Sequence, residues 1–260
     1  MPKIRLDSYL AEQGYAETKS KAQAIIMAGD VYVNNQKSDK CGLFLKEEDI
    51  IEVREKGIKY ASRGGLKLEK AIEEFNIDLR DKICMDIGAS TGGFTDCMLQ
   101  NGARKVYAID VGYGQLAWKL RQDMRVYNIE KTNIRYVNVK DFTDVKFVSV
   151  DVSFISLKLI FPVINGINPS ECVCLIKPQF EAGKDKVGKG GIVKDKKVHI
   201  EVIRDIIGEI PEGYFVSGLT FSPICGMHGN IEYLLYLTIK DSYYKINIGG
   251  VVENAHNGHY

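Results

Sequence analysis

The chain carries two different rhythms of apolar and polar positions, one before about residue 55 and one after it. In the first block, R-L-D-S-Y-L-A-E-Q-G places Leu6, Tyr9 and Leu10 at helical spacing and closes on Gly14. Thr18 reads as the N-cap of a second helix, with Ala22, Ile25 and Ile26 on one face and Gly29 as its stop. V-Y-V-N-N-Q-K, turning at Asn34-Asn35, predicts a strand entering a hairpin, and 49–53 predicts another strand. Two short helices followed by short strands make a small α+β module, assigned to residues 1–59.

After a polar connection the pattern changes. G-L-K-L-E-K-A-I-E-E-F reads as an amphipathic helix with Leu66, Ala71, Ile72 and Phe75 turned inward. Apolar runs at 83–87, 106–109, 126–129, 147–152, 172–176, 214–221 and 231–239 follow. Helical stretches centred on Met98, Leu116, Leu159 and Ile203 separate them. This alternation predicts a doubly wound α/β sheet over 60–245, and the last two runs, joined by a loop alone, are expected to pair antiparallel. A seven-stranded mixed sheet with one antiparallel strand near an edge is the Rossmann-like plan of class I methyltransferases. The tail, 246–260, is expected to pack only in part.

Composition narrows the class without naming a function. A chain of 260 residues that is 45% hydrophobic and 27% charged can bury a sizeable core. Its net charge of +1 gives no global attraction to nucleic acid, so any such binding must come from local patches. The six cysteines show no C-x-x-C pair, and the four histidines are scattered. Reduced thiols and no bound metal are the expectation. The start M-P-K-I-R-L-D has no signal-peptide core and no apolar run spans a membrane. A cytoplasmic protein with no membrane partner is expected, a monomer or a weak homodimer.

The stretch 86–95, D-I-G-A-S-T-G-G-F-T, carries the sharpest chemical signal. An apolar run precedes it and a helical segment follows, the arrangement that holds a nucleotide-like cofactor. Ser90 replaces the central glycine of the dinucleotide fingerprint, which disfavours a nicotinamide enzyme. The next apolar run ends in Asp110, where a carboxylate can take a ribose diol. A glycine turn plus this acid fits adenosine held without a pyrophosphate, so S-adenosylmethionine is the first candidate.

Four charged residues lie where an open α/β sheet uses them sparingly. Asp151 ends F-V-S-V-D, Lys177 ends C-V-C-L-I-K, Glu232 interrupts N-I-E-Y-L-L-Y-L, and Lys67 sits on the helix before the first strand. Each alone also reads as a surface charge or a strand-end cap. Together beside the glycine turn they suit methyl transfer to an alcohol, whose proton must be removed. A lysine does this only if its pKa falls from about 10.4 toward 7–8, and Lys67 is a second cation able to lower Lys177. Asp151 and Glu232 would balance the two ammonium groups.

On these motifs the chain resembles the TlyA-type RNA 2′-O-methyltransferases, in which an S4-like RNA-binding domain precedes an FtsJ-like methyltransferase domain. The resemblance rests on R-L-D-x-Y-L, S-K-A-Q-A-I-I-M-A-G-D-V-Y-V-N, S-R-G-G-L-K-L, D-I-G-A-S-T-G-G-F-T-D, V-D-V-S-F-I-S-L, L-I-K-P-Q-F-E and G-N-I-E-Y-L-L. It implies a catalytic Lys67–Asp151–Lys177–Glu232 tetrad acting on ribose 2′-hydroxyls of cytidines in ribosomal RNA. It also implies cofactor contacts from Gly88, Ala89, Ser90, Thr91, Gly92, Gly93, Phe94 and Asp110, and from Asp141 near the adenine amino group. The linker R-E-K-G-I-K-Y-A lacks the tryptophan-containing motif of some members, which leaves the ribosomal subunit open.

RNA-facing candidates are Arg5, Lys19, Lys21 and Gln23 in the first module, and Arg63 in the second. Lys184, Lys186 and Lys189 belong to a Lys- and Gly-rich stretch, 184–197, expected to be mobile. Phe180 and Phe154 are candidates to stack on a splayed base, although V-S-F-I-S-L favours a core role for Phe154. Trp118 is expected to pack. The rival readings are a ribosome-assembly factor with a non-catalytic methyltransferase fold and a membrane-lytic haemolysin.

Overall fold

The computed structural model describes residues 4–13, 15–16, 18–28, 30–34, 36–46, 49–53, 59–241 and 243–259. The expected helix stops Gly14 and Gly29, the turn residue Asn35 and linker residues 54–58 lie outside them. The chain divides into two compact units, Met1–Ile58 and Lys59–Tyr260.

The first unit begins with β1 (Ile4–Arg5), α1 (Leu6–Glu12) and α2 (Lys19–Ala28). Thr18 caps α2 as expected, its Oγ1 accepting the Lys21 amide at 3.2 Å. Then follow β2 (Val31–Val33), β3 (Gln36–Lys37), β4 (Phe44–Leu45) and β5 (Ile51–Val53). β1 pairs with β4, while β2 pairs antiparallel with both β3 and β5. Leu6, Leu10, Ala22, Ile26, Val31 and Leu45 close a small core of its own. Burying each large aliphatic side chain contributes roughly 1.5–3 kcal/mol before entropy is counted.

The second unit opens with α3 (Gly65–Phe75), β6 (Ile83–Ile87), α4 (Gly93–Gln100), β7 (Lys105–Ile109), α5 (Trp118–Arg121) and β8 (Val126–Ile129). It continues with β9 (Phe147–Val150), α6 (Phe161–Ile167), β10 (Glu171–Ile176), α7 (Pro178–Glu181) and α8 (Lys196–Ile207). β11 (Phe215–Phe221), β12 (Tyr233–Thr238) and α9 (Ile248–His259) complete it. The seven strands form one sheet in the order β11-β12-β10-β9-β6-β7-β8. β12 runs antiparallel to both neighbours, and β6 to β10 are parallel to one another. The order reverses between β6 and β9, so their carboxyl ends open a crevice for a ligand.

Three segments differ from their sequence pattern. Leu116 precedes α5 rather than centring a helix, because Gly112 and Gly114 break the approach and leave only four helical residues. Leu159 ends a 3₁₀ turn, and the helix starts later, at Phe161, with Pro162 in its first turn. The tail from 246 forms α9, with Val252, Ala255 and His256 buried.

α3 is held over β11 and β12 by specific contacts. Phe75 stacks on Tyr236 at 5.4 Å, and Thr220 Oγ1 donates to Glu74 Oε2 at 2.9 Å. A Cβ at Gly218 would lie 2.5 Å from the Phe75 ring, so the glycine lets the helix come this close. This docking fixes the position from which Lys67 projects.

Candidate active site

The turn after β6 is built by residues that accept unusual backbone geometry. Gly88 has φ +87°, and a Cβ there would lie 2.3 Å from the Asp151 carbonyl oxygen, so only glycine fits. Ser90 also lies in the left-handed region, φ 47°. Its strain is offset by contacts: its amide donates to Asp110 Oδ2 at 2.8 Å and its Oγ to Gln115 Oε1 at 3.2 Å. Below the turn, fully buried Asp86 accepts hydrogen bonds from Thr95 Oγ1 at 2.7 Å and Ser149 Oγ at 3.1 Å. Burial raises its carboxyl to about 7, against those two bonds.

Two cavities flank this turn. The larger, about 480 Å³, is lined by Gly88, Ser90, Asp110 and Gln115 and by the apolar Ile109, Val111, Ile134, Ile155 and Ile160. Its size and mixed lining suit a cofactor of nucleoside size. Asp110 is held ready, its Oδ1 accepting the Gly112 amide at 2.6 Å. The smaller, about 130 Å³, is bounded by Ser62, Gly64, Gly88, Ala89, Ser90, Thr91, Gly93, Phe94 and Asp151. Gly93 and Phe94 begin α4, so a helix N-terminus borders it. Of the expected cofactor residues, Gly92 lines neither cavity; a Cβ there would meet Leu120 Cδ1 at 2.2 Å.

Asp141 is not brought to the site. It lies exposed in a 3₁₀ turn, bound by Asn138 Nδ2 at 3.0 Å, and lines neither cavity. Thr132, Asn133 and Ile134 occupy that wall instead. The sequence spacing K-D-F-T-D carries no information about this, because the 3₁₀ turn sets the side-chain direction.

The four separated charges form two ion pairs. Lys67 Nζ lies 2.6 Å from Glu232 Oε2, and Lys177 Nζ lies 2.6 Å from Asp151 Oδ1. Lys177 also donates to Ser153 Oγ at 3.0 Å. Lys67, Lys177 and Glu232 are buried, and Asp151 borders both cavities. Gln179, two residues past Lys177, donates from Nε2 to Glu232 Oε1 at 3.4 Å. A Cβ at Gly226 would fall 1.9 Å from that same Oε1, so the bare backbone there makes room for the carboxylate.

Two aromatic expectations are corrected. Phe154 is 80% exposed, because β9 ends at Val150 and the following turn puts Phe154 at φ 63°. Its ring meets Phe180 at 4.9 Å, and the Lys177 ammonium lies 5.8 Å from the Phe180 ring centre. Trp118 does not pack either; it is 71% exposed, while Leu116 and Leu120 take the buried positions around it.

The segment 184–197 is folded. A 3₁₀ turn spans Lys184–Lys186, Gly188 N donates to Ile192 O at 2.9 Å, and α8 starts at Lys196. Asn230 pins it, accepting the Val193 amide at 3.1 Å and donating to Gly191 O at 2.9 Å. Lys184 and Lys189 are exposed, Lys186 pairs with Glu201 at 2.7 Å, and Arg63 is exposed just before α3.

In the first unit, three expected RNA-facing residues gather on buried Asp7. Arg5 binds it through two nitrogens at 3.0 and 2.8 Å, Gln23 Nε2 at 2.8 Å and Lys19 Nζ at 3.6 Å. The Arg5 hydrogen bonds hold the Asp7 carboxyl far below its usual range. The Arg5 and Lys19 side chains remain 42% and 50% exposed, and Lys21 is exposed.

Ser62, Gln115, Ser153 and Gln179, like the wall residues Thr132, Asn133 and Ile134, emerge only from the structure. Ser62 begins S-R-G-G-L-K-L, Ser153 lies in V-D-V-S-F-I-S-L and Gln179 in L-I-K-P-Q-F-E, so these three stand inside the family motifs. Nothing in one sequence separates a site residue there from its neighbours.

Comparisons with known proteins identify the family. Residues 60–239 match the FtsJ-like methyltransferase family, and residues 4–51 match the S4 domain. The "Putative rRNA methyltransferase YqxC" of Bacillus subtilis is 55% identical over 240 residues, covering 90% of this chain and 85% of the relative. The "16S/23S rRNA (cytidine-2′-O)-methyltransferase TlyA" of Mycobacterium tuberculosis is 38% identical, covering 90% of each. A solved structure titled "Putative hemolysin from Streptococcus thermophilus" superposes with TM-score 0.75 at 46% identity, covering 99% of this chain and 97% of that one. With the glycine turn, the two ion pairs and the S4 module in one polypeptide, the chain belongs to the TlyA family, an S4 domain followed by an FtsJ-like methyltransferase domain.

Proposed function

We propose that this chain transfers a methyl group from S-adenosylmethionine to a ribose 2′-hydroxyl, that of cytidine, in ribosomal RNA. The observation that carries the reading is Asp151, which borders both cavities and also holds the Lys177 ammonium at 2.6 Å. One side chain thus joins the cofactor cradle to the group that takes the proton.

Asp110 would hold the cofactor ribose, and the apolar wall Ile109, Val111, Ile134 its adenine. The N-terminus of α4 and the Ser62 hydroxyl would receive its amino-acid end in the smaller cavity. When bound, the cofactor supplies a methyl group on an electron-poor sulfonium. Lys177 Nζ would be the group that takes the 2′-hydroxyl proton, with Asp151 and Ser153 fixing its direction. The Lys67–Glu232 pair would supply a second buried positive charge, compensated by its own carboxylate. Phe154, its ring exposed, offers a face to the target base. The S4 domain and the ribosomal RNA activity named for the relative support RNA as substrate.

The reading is tested by methyl incorporation into ribosomal subunits from cells lacking the protein. Lys177→Ala should abolish incorporation while calorimetry shows S-adenosylmethionine binding retained. Retained turnover would remove Lys177 as the base, and a wild-type protein that methylates neither subunit would remove the reading. No helix among the described residues is long and apolar enough to cross a membrane, and a liposome-leakage assay checks the lytic alternative.

A further inference from the structure

The motif L-I-K-P-Q-F-E ends in Glu181, yet the proposed chemistry uses it only at Lys177. Glu181 closes α7, but its carboxylate serves a different loop: Oε1 accepts the Leu157 amide at 2.9 Å. Leu157 opens the 3₁₀ turn Leu157–Leu159 that follows the β9 exit. Burial raises the Glu181 carboxyl above its ordinary value, against the hydrogen bonds from Ser156 and the Leu157 amide. Among the described residues no cation pairs with it, and neighbouring Lys158 is bound to Asp205 at 2.7 Å.

The loop that Glu181 reaches needs holding. β9 and β10 pair only as far as Val150 and Cys174, so past that point the ladder no longer joins the two chains. Asp151, Ser153 and Phe154 lie on one of them and Lys177 on the other. Phe154 also has φ 63°, a left-handed backbone that a bulky residue keeps only where its surroundings over-determine it. Residues 177–181 supply contacts on both sides of that turn. Lys177 Nζ donates to Ser153 Oγ at 3.0 Å before it, and Glu181 takes the Leu157 amide after it. Between them the Phe180 ring meets that of Phe154 at 4.9 Å. Phe180 N donates to Lys177 O and Ala182 N to Pro178 O, both at 2.9 Å, so one hydrogen-bonded turn carries all three contacts.

We propose that Glu181 is a positioning residue for methyl transfer: its bond to Leu157 clasps the loop after β9 to the turn after β10. The clasp sets Ser153 and the Phe154 ring against Lys177. The proposal rests on the ribose-methylation reading and deepens it by naming what keeps the proton acceptor and the exposed ring in register. The carboxylate has one task, to accept a hydrogen bond from a backbone amide, so its reach matters and its charge does not. An oxygen set one methylene nearer its own backbone cannot meet the Leu157 amide unless one loop moves toward the other.

Two substitutions separate reach from charge. Glu181→Gln keeps the length and an accepting oxygen but loses the charge, whereas Glu181→Asp keeps the charge and draws the oxygens back. Ribosomal subunits from cells lacking the protein are the probe for methylation, and hydrogen exchange in peptides spanning 153–157 reads the clasp directly. Glu181→Asp should lower kcat about tenfold or more, because a small displacement at the reacting groups is costly. KM for subunits and melting temperature should stay near the wild-type values, and exchange should quicken at 153–157 alone. Glu181→Gln should restore both kcat and slow exchange. Wild-type kcat and exchange in Glu181→Asp would overturn the proposal. So would Glu181→Gln being the worse of the two, which would make charge the operative property. A melting temperature that falls in step with activity, with exchange rising throughout the chain, would overturn it too by making the role merely structural. If the wild type methylates neither subunit, the methylation reading falls, and the exchange comparison still decides the clasp.

Discussion

Lys67 and Glu232 are separated by 165 positions in the chain, yet their charged groups meet at 2.6 Å in the interior. The helix carrying Lys67 and the segment entering β12 are held together by Phe75, Tyr236, Thr220 and Glu74 around them. The pair is therefore a product of the tertiary fold, and substitutions that move either partner should act on chemistry before they act on stability.

Gly226→Ala is the mildest such change. Its new Cβ would sit 1.9 Å from Glu232 Oε1, so the carboxylate must shift from where it now accepts the Gln179 amide. A displacement of about 1 Å near reacting groups can cost on the order of a hundredfold in rate. Methyl incorporation by Gly226→Ala should fall to that extent with cofactor affinity unchanged by calorimetry; full activity would show that Glu232 need not be where it lies.

The two acids that the family resemblance assigns to adenosine should separate cleanly. Asp110→Ala removes a carboxylate that borders the cavity and also binds the Ser90 and Gly112 amides. Hydrogen bonds to a charged group contribute about 1.5–3 kcal/mol, so S-adenosylmethionine affinity should drop roughly tenfold or more. Asp141→Ala should leave it unaltered. Equal losses in the two variants would contradict the placement of Asp141.

Acid stability involves groups of opposite sign. Burial lowers the His199 imidazole below its ordinary value, and burial with the neighbouring His199 lowers His256. The unfolded chain therefore takes up these protons first, and their contribution is present above pH about 6.5 and lost as pH falls below it. Asp86, raised to about 7, runs the other way: between about pH 4 and 7 the folded state holds its proton and stability declines as pH rises. Thermal melts from pH 7.5 to 5 should show a steeper acid loss in Asp86→Asn and a shallower one in His199→Phe. The same pH slope in all three proteins would refute both assignments.

The chain contains one tryptophan, which makes Trp118 a reporter. The adjoining Ala117 amide donates to Thr91 O at 3.1 Å, within the glycine turn, and the indole is 71% exposed. Its emission should be that of an indole in water and should change when S-adenosylmethionine is added. Blue-shifted emission from the free protein would mean the side chain is buried after all.

Much of this architecture is legible in the sequence because it follows from local rules. Apolar runs of strand length alternating with helices dictate the doubly wound sheet, and side chains at strand ends must face its crevice, which puts Asp151 and Lys177 there. The rest depends on contacts or backbone turns that a pattern does not encode. V-S-F-I-S-L reads as continuous strand, but the chain turns at Phe154 and exposes the ring. The lysine-rich stretch 184–197 reads as loose because Asn230, which fastens it, lies 39 residues beyond Gly191. Asp141 and the wall 132–134 cannot be ranked by pattern, since both follow the same strand.

Asp110 has its two oxygens aimed by the Ser90 and Gly112 amides in the free protein. The immobilisation of that loop is thus completed during folding and does not have to be repeated each time a nucleoside arrives. A donor spent after one turnover can leave and a fresh one enter an acceptor that never disassembles, so exchange of the small molecule need not wait for the turn to rebuild.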